Sequence, residues 1–139
     1  MFNSAKFAKL VSSHFMADIL FKEESYKIIG VCFEIHKILG HGFKESVYKD
    51  ALEIELTKLE IPFIREKPFT IIYKEQKLKH YFIADFVVYN TIILEIKVGS
   101  YIGDPYVKQT LNYLKASGLR LGLVINFGKP SVESQRVIF

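Results

Sequence analysis

Three charged side chains stand where apolar ones are expected. Residues 83–98 read IADFVVYNTIILEIKV, two apolar runs around a polar break at Asn90-Thr91, and the runs contain Asp85, Glu95 and Lys97. Side chains on a strand alternate in face, so Glu95 and Lys97 point the same way, about 7 Å apart along the backbone. The same alternation puts Asp85 on a face with Ile83 and Val87. If the runs pair as a hairpin, all three charges meet on one surface. A buried carboxylate without a partner is costly, so such acids are ion-paired, metal-bound or protonated. The plain reading is a salt bridge from Lys97 to Glu95 or Asp85. The chemical reading is a site for Mg2+ or Mn2+, since Mg2+ takes a few carboxylate oxygens together with waters and a phosphate oxygen. Asp85 and Glu95 would supply the carboxylates and the carbonyl of Ile96 a further oxygen. Lys97 would orient or help deprotonate a water and stabilise charge developing on a phosphate, and the reaction would be phosphodiester hydrolysis.

The elements that must position these groups can be read from periodicity. Over residues 25–39, Ile28, Val31, Cys32, Ile35, Ile38 and Leu39 recur at helical spacing, with Ser25 as N-cap and Gly40 just past the end. Gly40-His41-Gly42 is a tight turn into a second helix over 45–59, carrying Tyr48, Leu52, Leu56 and Leu59 on one face. So short a connection makes the two a helical hairpin. Strands follow over 63–73, where Pro68 argues for an edge or a bulge, over 78–88 and over 92–98. A third helix is announced by Asp104 as cap, Pro105 at its first position and Gly118 at its close. The apolar run 121–127 predicts a strand buried on both faces. The helix before it has the length of a crossover, which makes this strand parallel to 92–98. Residues 132–139 add an edge strand. The fold expected is α/β, a mixed central β-sheet flanked by helices, with an N-terminal helical hairpin.

Composition bounds the rest. The chain has 139 residues, 50% of them hydrophobic and 14% aromatic, which excludes global disorder and suffices for one core. A net charge of +4 permits a polyanionic partner without demanding one. The single cysteine, Cys32, can form no internal disulfide and reads as a small buried hydrophobe in a reducing compartment, so a cytoplasmic location is expected. No apolar run is long enough for a bilayer span, and no membrane role is expected. Residues 1–15 carry Lys6 and Lys9 without an acid and read as a loose arm, or as sequence upstream of a true start at Met16. Residues 16–139 read as a single domain. The histidines, His14, His36, His41 and His80, lack zinc-ligand spacing.

Asp85 followed by Glu95-Ile96-Lys97 resembles the D…(D/E)-x-K core of the PD-(D/E)XK nuclease superfamily. Gly42-Phe43-Lys44-Glu45-Ser46-Val47-Tyr48 also matches the motif of the small GxxExxY proteins of that superfamily. The likeness continues through Gln109-Thr110-Leu111-Asn112-Tyr113-Leu114 and Gly122 to Ile125-Asn126-Phe127-Gly128. It implies a restriction-endonuclease-like core and a Mg2+- or Mn2+-dependent nuclease acting on nucleic acid, DNA ahead of RNA. It makes Asp85 and Glu95 the strand acids, Lys97 the catalytic lysine and Glu45 a helix acid that binds metal directly or through water. It also makes Gln109 and Tyr113 residues that line the site. Ala84 stands where the superfamily's name has proline. Glu45 is equally an acid complementing a helix dipole, and Tyr48 a core residue with a tied hydroxyl. Lys74, Lys77, Lys79, Lys108, Lys115 and Arg120 could neutralise phosphates, and Tyr101 and Tyr106 could stack on bases. A homodimer that addresses two strands fits this class. The alternative is a non-catalytic module on the same fold that binds nucleic acid or protein.

Overall fold

The computed structural model describes residues 20–139, so the expected arm and the start at Met16 lie outside the described residues. Helix α1 (Lys22–Leu39) buries Ile28, Val31, Cys32 and Ile35, the stripe its spacing foretells. It starts three residues before the predicted cap. Phe21 takes the cap position with φ 50°, and Ser25 lies inside the helix, its hydroxyl donating to the Phe21 carbonyl at 2.7 Å. The Ser25 Oγ also accepts from Arg136 Nη1 at 2.9 Å. Gly40 (φ 70°) and Gly42 (φ 112°) make the turn, conformations a side chain would strain. Helix α2 (Glu45–Lys58) then returns with Tyr48, Leu52 and Leu56 inward.

Five strands follow: β1 (Phe63–Tyr73), β2 (Gln76–Val88), β3 (Ile92–Lys97), β4 (Leu121–Asn126) and β5 (Glu133–Ile138), with helix α3 (Asp104–Ser117) between β3 and β4. They form one sheet in chain order, antiparallel except for the parallel pair β3–β4. This is the mixed sheet and crossover expected from the sequence. Strand β2 starts two residues earlier than expected because Lys74 and Glu75 close the β1–β2 turn alone, both with positive φ. Pro68 lies on the edge strand, as it must without an N–H, but the register shifts between Thr70 and Ile72 rather than at the proline. At α3 the cap position falls to Gly103, with Asp104 the first helical residue and Gly118 closing at φ 76°.

Helices α1 and α2 cover one face of the sheet, packing on Phe86, Val88, Ile92, Leu94, Ile96, Leu123 and Ile125. Helix α3 covers the other through Leu114, against Phe82, Ala84, Val87, Ile93 and Val124. Each fully buried aliphatic side chain contributes about 1.5–3 kcal/mol. Strand β4 is buried throughout, and α3 lies so close to it that a Cβ on Gly122 would collide with Thr110 Cγ2. Cys32 sits in the α1 layer, where burial pushes its thiol up to about 12 and leaves it inert.

Candidate active site

The acid on β2 is positioned by a fault in the strand. Phe82 and Ala84 pack with the α3 layer, as does Val87, whereas Phe86 and Val88 pack with the α1–α2 layer. Strict alternation would keep residues 84, 86 and 88 together, so the pattern slips by one at Asp85. Strand β1 slips with it. Phe63 packs on the α1–α2 side and Arg65 bonds to Asp50 and Glu53 of α2, while Phe69 packs on the α3 side. Between the pairs Arg65↔Phe86 and Lys67↔Ala84, Glu66 stands opposite Asp85 with φ 55°. Asp85 therefore does not share a face with Ile83 and Val87. Val87 is buried against α3, and Ile83, on the far side of the slip, is 48% exposed.

At the same point β2 and β3 part. Their pairing runs from Val88↔Ile92 to Phe86↔Leu94 and stops. Side chains take over from the ladder: the Asp85 N–H donates to Glu95 Oε2 at 2.7 Å, and the Ile96 N–H donates to Asp85 Oδ2 at 2.8 Å. Each acid thus accepts a backbone hydrogen bond from the strand that carries the other. Glu95 is only 3% exposed. Burial, and next the charge of Asp85, push its carboxyl up to about 7, against the opposing pull of the Asp85 N–H, Lys97 and Lys49.

Lys97 is on the Glu95 face of β3, with its Nζ 4.8 Å from the centroid of the Tyr106 ring on α3, a cation–π contact. Tyr113 comes near from the same helix and stacks on Phe82, centroids 3.9 Å apart. Burial raises the pKa of its phenol, and the charges of Glu95 and Asp85 raise it further, so the hydroxyl stays protonated beside the acids. Glu45 does not touch the pair. It reaches Asp85 through Lys49, whose Nζ lies 2.8 Å from Asp85 Oδ1 and 3.5 Å from Glu45 Oε1. Burial opposes the charge on Lys49, but its bond to Asp85 and the two nearby acids outweigh this and raise its pKa. Sequence reasoning missed Lys49. Its signal was there, a lysine four residues after Glu45 and hence on the same helix face.

The other expected residues lie around this cluster rather than in it. Gln109, Lys108 and Tyr101 are exposed, Tyr101 beside a hollow formed with Gly99, Ser100, Gly103, Pro105 and Tyr106. Lys74, Lys77 and Lys79 are exposed at the far end of the β1–β2 hairpin. A cavity of about 550 Å3 lies between that hairpin and α3, lined by Ile71, Ile72, Phe82, Asn112, Tyr113, Lys115 and Ala116, so Tyr113 borders both it and the acids. Tyr48 is core, with its hydroxyl donating to the Gly40 carbonyl at 2.6 Å and its ring stacked on Phe127. Among the described residues, no three His, Cys, Asp or Glu side chains stand close enough to hold a metal by themselves.

Beside the site, Asn126 supports the loop that leaves β3. Its Oδ1 accepts from the Gly99 and Gly128 N–H groups at 2.9 and 3.0 Å. Its Nδ2 donates to the Gly99 carbonyl at 2.9 Å and to Glu133 Oε1 at 3.2 Å. Glu133 Oε1 also accepts from the Ile102 N–H at 2.8 Å. A Cβ at Gly128 would collide with the Gly99 carbonyl, so the backbones meet closely there.

Comparison with known proteins accords with this architecture. No curated protein matches the chain. Among solved structures, one titled "Crystal structure of SSO0001" is similar in fold, with a TM-score of 0.52 and 20% identity. The match covers 86% of this chain and 60% of that one, so the chain spans about three-fifths of its length. The family model of the PD-(D/E)XK nuclease superfamily matches residues 22–137, from the start of α1 to the penultimate residue of β5. The chain belongs to the PD-(D/E)XK nuclease superfamily.

Proposed function

We propose that the chain is a nuclease that hydrolyses phosphodiester bonds of nucleic acid, DNA ahead of RNA, with Mg2+ or Mn2+ held by Asp85 and Glu95. One observation carries the reading: the two acids interlock at 2.7 and 2.8 Å where the β2–β3 ladder ends, and the buried one is pushed up to about 7. Glu95, buried and pushed up beside Asp85, is short of positive charge, and a small hard dication with oxygen ligands fits that need. The Ile96 carbonyl is a further oxygen on the same strand, and Glu45 stands behind Lys49 as an outer acid. When bound, the ion would polarise a phosphate oxygen and lower the pKa of a water. Lys97, held over Tyr106, binds the phosphate and orients the attacking water. Tyr113 keeps a protonated hydroxyl at the edge of the acids, able to donate to a phosphate oxygen. Gln109, Tyr101 and Lys108 contact substrate around α3, and Lys74, Lys77 and Lys79 contact its backbone away from the reacting bond. The Gly42, Glu45 and Tyr48 motif supports placing the chain with the small GxxExxY proteins, working in the cytoplasm as a homodimer.

The test is incubation of purified protein with single- and double-stranded DNA and RNA, with and without Mg2+ or Mn2+. Metal-dependent cleavage of DNA that EDTA stops is the expected result. Cleavage that survives EDTA, or survives Asp85→Asn, ends this reading. A second reading is favoured by the ion pair of Lys49 with Asp85 at 2.8 Å, which already compensates one acid. On that reading the chain binds nucleic acid without turnover, and a gel shift weakens with salt while the substrate stays whole.

A further inference from the structure

Lys49 sits on an oxygen of Asp85 that a metal ion could use. Asp85 Oδ2 is taken by the Ile96 N–H, and Glu95 Oε2 by the Asp85 N–H. The remaining Asp85 oxygen, Oδ1, carries the Lys49 ammonium at 2.8 Å. An ammonium that close to Oδ1 repels a dication brought to the same carboxylate, so the two compete for Asp85. The lysine also has somewhere to go. Glu45 lies one turn earlier on the same helix, already 3.5 Å from Nζ, and it is more open to solvent than Asp85, with side-chain exposures of 38% and 15%. Lys97, the other cation nearby, rests on the Tyr106 ring and leaves Asp85 to Lys49.

We propose that Lys49 is a tethered counter-ion that holds Asp85 in place until a small divalent cation arrives, then moves from Asp85 to Glu45. Lys49 thereby sets the cation concentration at which the site loads. The inference rests on the reading that Asp85 and Glu95 hold the metal. It makes Lys49 a positioning residue, acting through Asp85, and gives Glu45 the role of receiving the lysine.

The experiment is a calorimetric titration of the full chain, stripped with EDTA and without nucleic acid, with Mn2+. Lys49→Met keeps most of the side chain's length and removes the charge, and it is expected to bind Mn2+ about tenfold more tightly than the wild type. Glu45→Gln is expected to weaken binding several-fold, but to have little effect when Lys49→Met is already present, because no lysine then needs a resting place. In the wild-type protein, labelling of Lys49 by an amine-reactive reagent, read by peptide mass spectrometry, should rise when Mn2+ saturates the site. That measurement decides the matter if Lys49→Met does not fold. A folded Lys49→Met that binds Mn2+ no more tightly than the wild type, or labelling of Lys49 indifferent to Mn2+, overturns the inference. If Asp85→Asn abolishes binding in either case, the metal site itself stands and only the role of Lys49 falls. If Asp85→Asn binds Mn2+ like the wild type, the metal reading falls and the inference with it.

Discussion

Two buried polar clusters sit side by side at the ends of β3 and β4, where Lys97 and Asn126 are register partners. Both use side-chain oxygens to satisfy backbone N–H groups that the sheet leaves over. Asn126 is neutral and complete: its oxygen accepts two N–H groups, and its amide nitrogen donates to a carbonyl and a carboxylate. The Asp85–Glu95 pair is charged and incomplete, with one acid leaning on a lysine and the other pushed up to about 7. The difference separates a neutral group that holds a loop from a charged pair that leans on a lysine. A fully satisfied polar cluster rigidifies the fold, whereas a charged one buried beside a like charge does so at some expense.

The largest expected effect tests the charged cluster. Asp85→Asn should reduce DNA cleavage about 1,000-fold, equivalent to roughly 4 kcal/mol of barrier, with an unchanged circular dichroism spectrum. A variant that cuts normally would erase the distinction. Next comes the neutral cluster. Asn126→Ala strands the Gly99 and Gly128 N–H groups together and should lower stability in urea by about 3 kcal/mol. Should it instead lose only activity, Asn126 belongs with the site.

Glu95→Gln sharpens the contrast, because it should stabilise the metal-free protein by about 2 kcal/mol at pH 8, somewhat less than the shift from 4.5 to about 7 would allow. Folding raises this pKa, so the unfolded chain releases the proton near pH 4.5 while the folded chain keeps it to about 7. Stability from this group therefore falls as pH rises between those values and is level above them. The advantage of the variant should shrink as pH drops through that window and vanish near 4.5, measured by melting temperature; a constant advantage would assign it to packing. The smallest effect is that of Tyr48→Phe, which removes the bond to the Gly40 carbonyl and should cost about 1 kcal/mol without altering Mn2+ binding.

Much of the framework was legible in the sequence, because it rests on local rules. The helical stripe of Ile28, Cys32 and Ile35, the glycines at 40 and 118 and the apolar run of β4 each declare their element by spacing or type. Asp85, Glu95 and Lys97 were legible for a different reason, as charges in strands too apolar to hold them. What escaped depends on two strands or two elements at once. The slip at Asp85 needs Glu66 across the hairpin to slip with it. Lys49 reads as one more surface lysine until β2 is laid beside its helix. Asn126 was visible as an amide in an apolar run, but its role became plain only when Gly99 and Glu133 stood around it.

The paired slip at Glu66 and Asp85 also sets the phase of everything beyond it. Past that point the hairpin has turned over, so Phe69 and Phe82 lie under α3 while Tyr81 and Ile83 look outward. Losing one residue on either strand would restore simple alternation, and the two strands would fall out of step. Losing one on both would leave Phe82 under α3, since 84 and 82 would then alternate with 86, whereas straightening both strands with every residue kept would turn the arm over, burying Tyr81 and exposing Phe82. Chains that keep the acid should tolerate length changes at the tip near Lys74 and Glu75 far better than at the crossing.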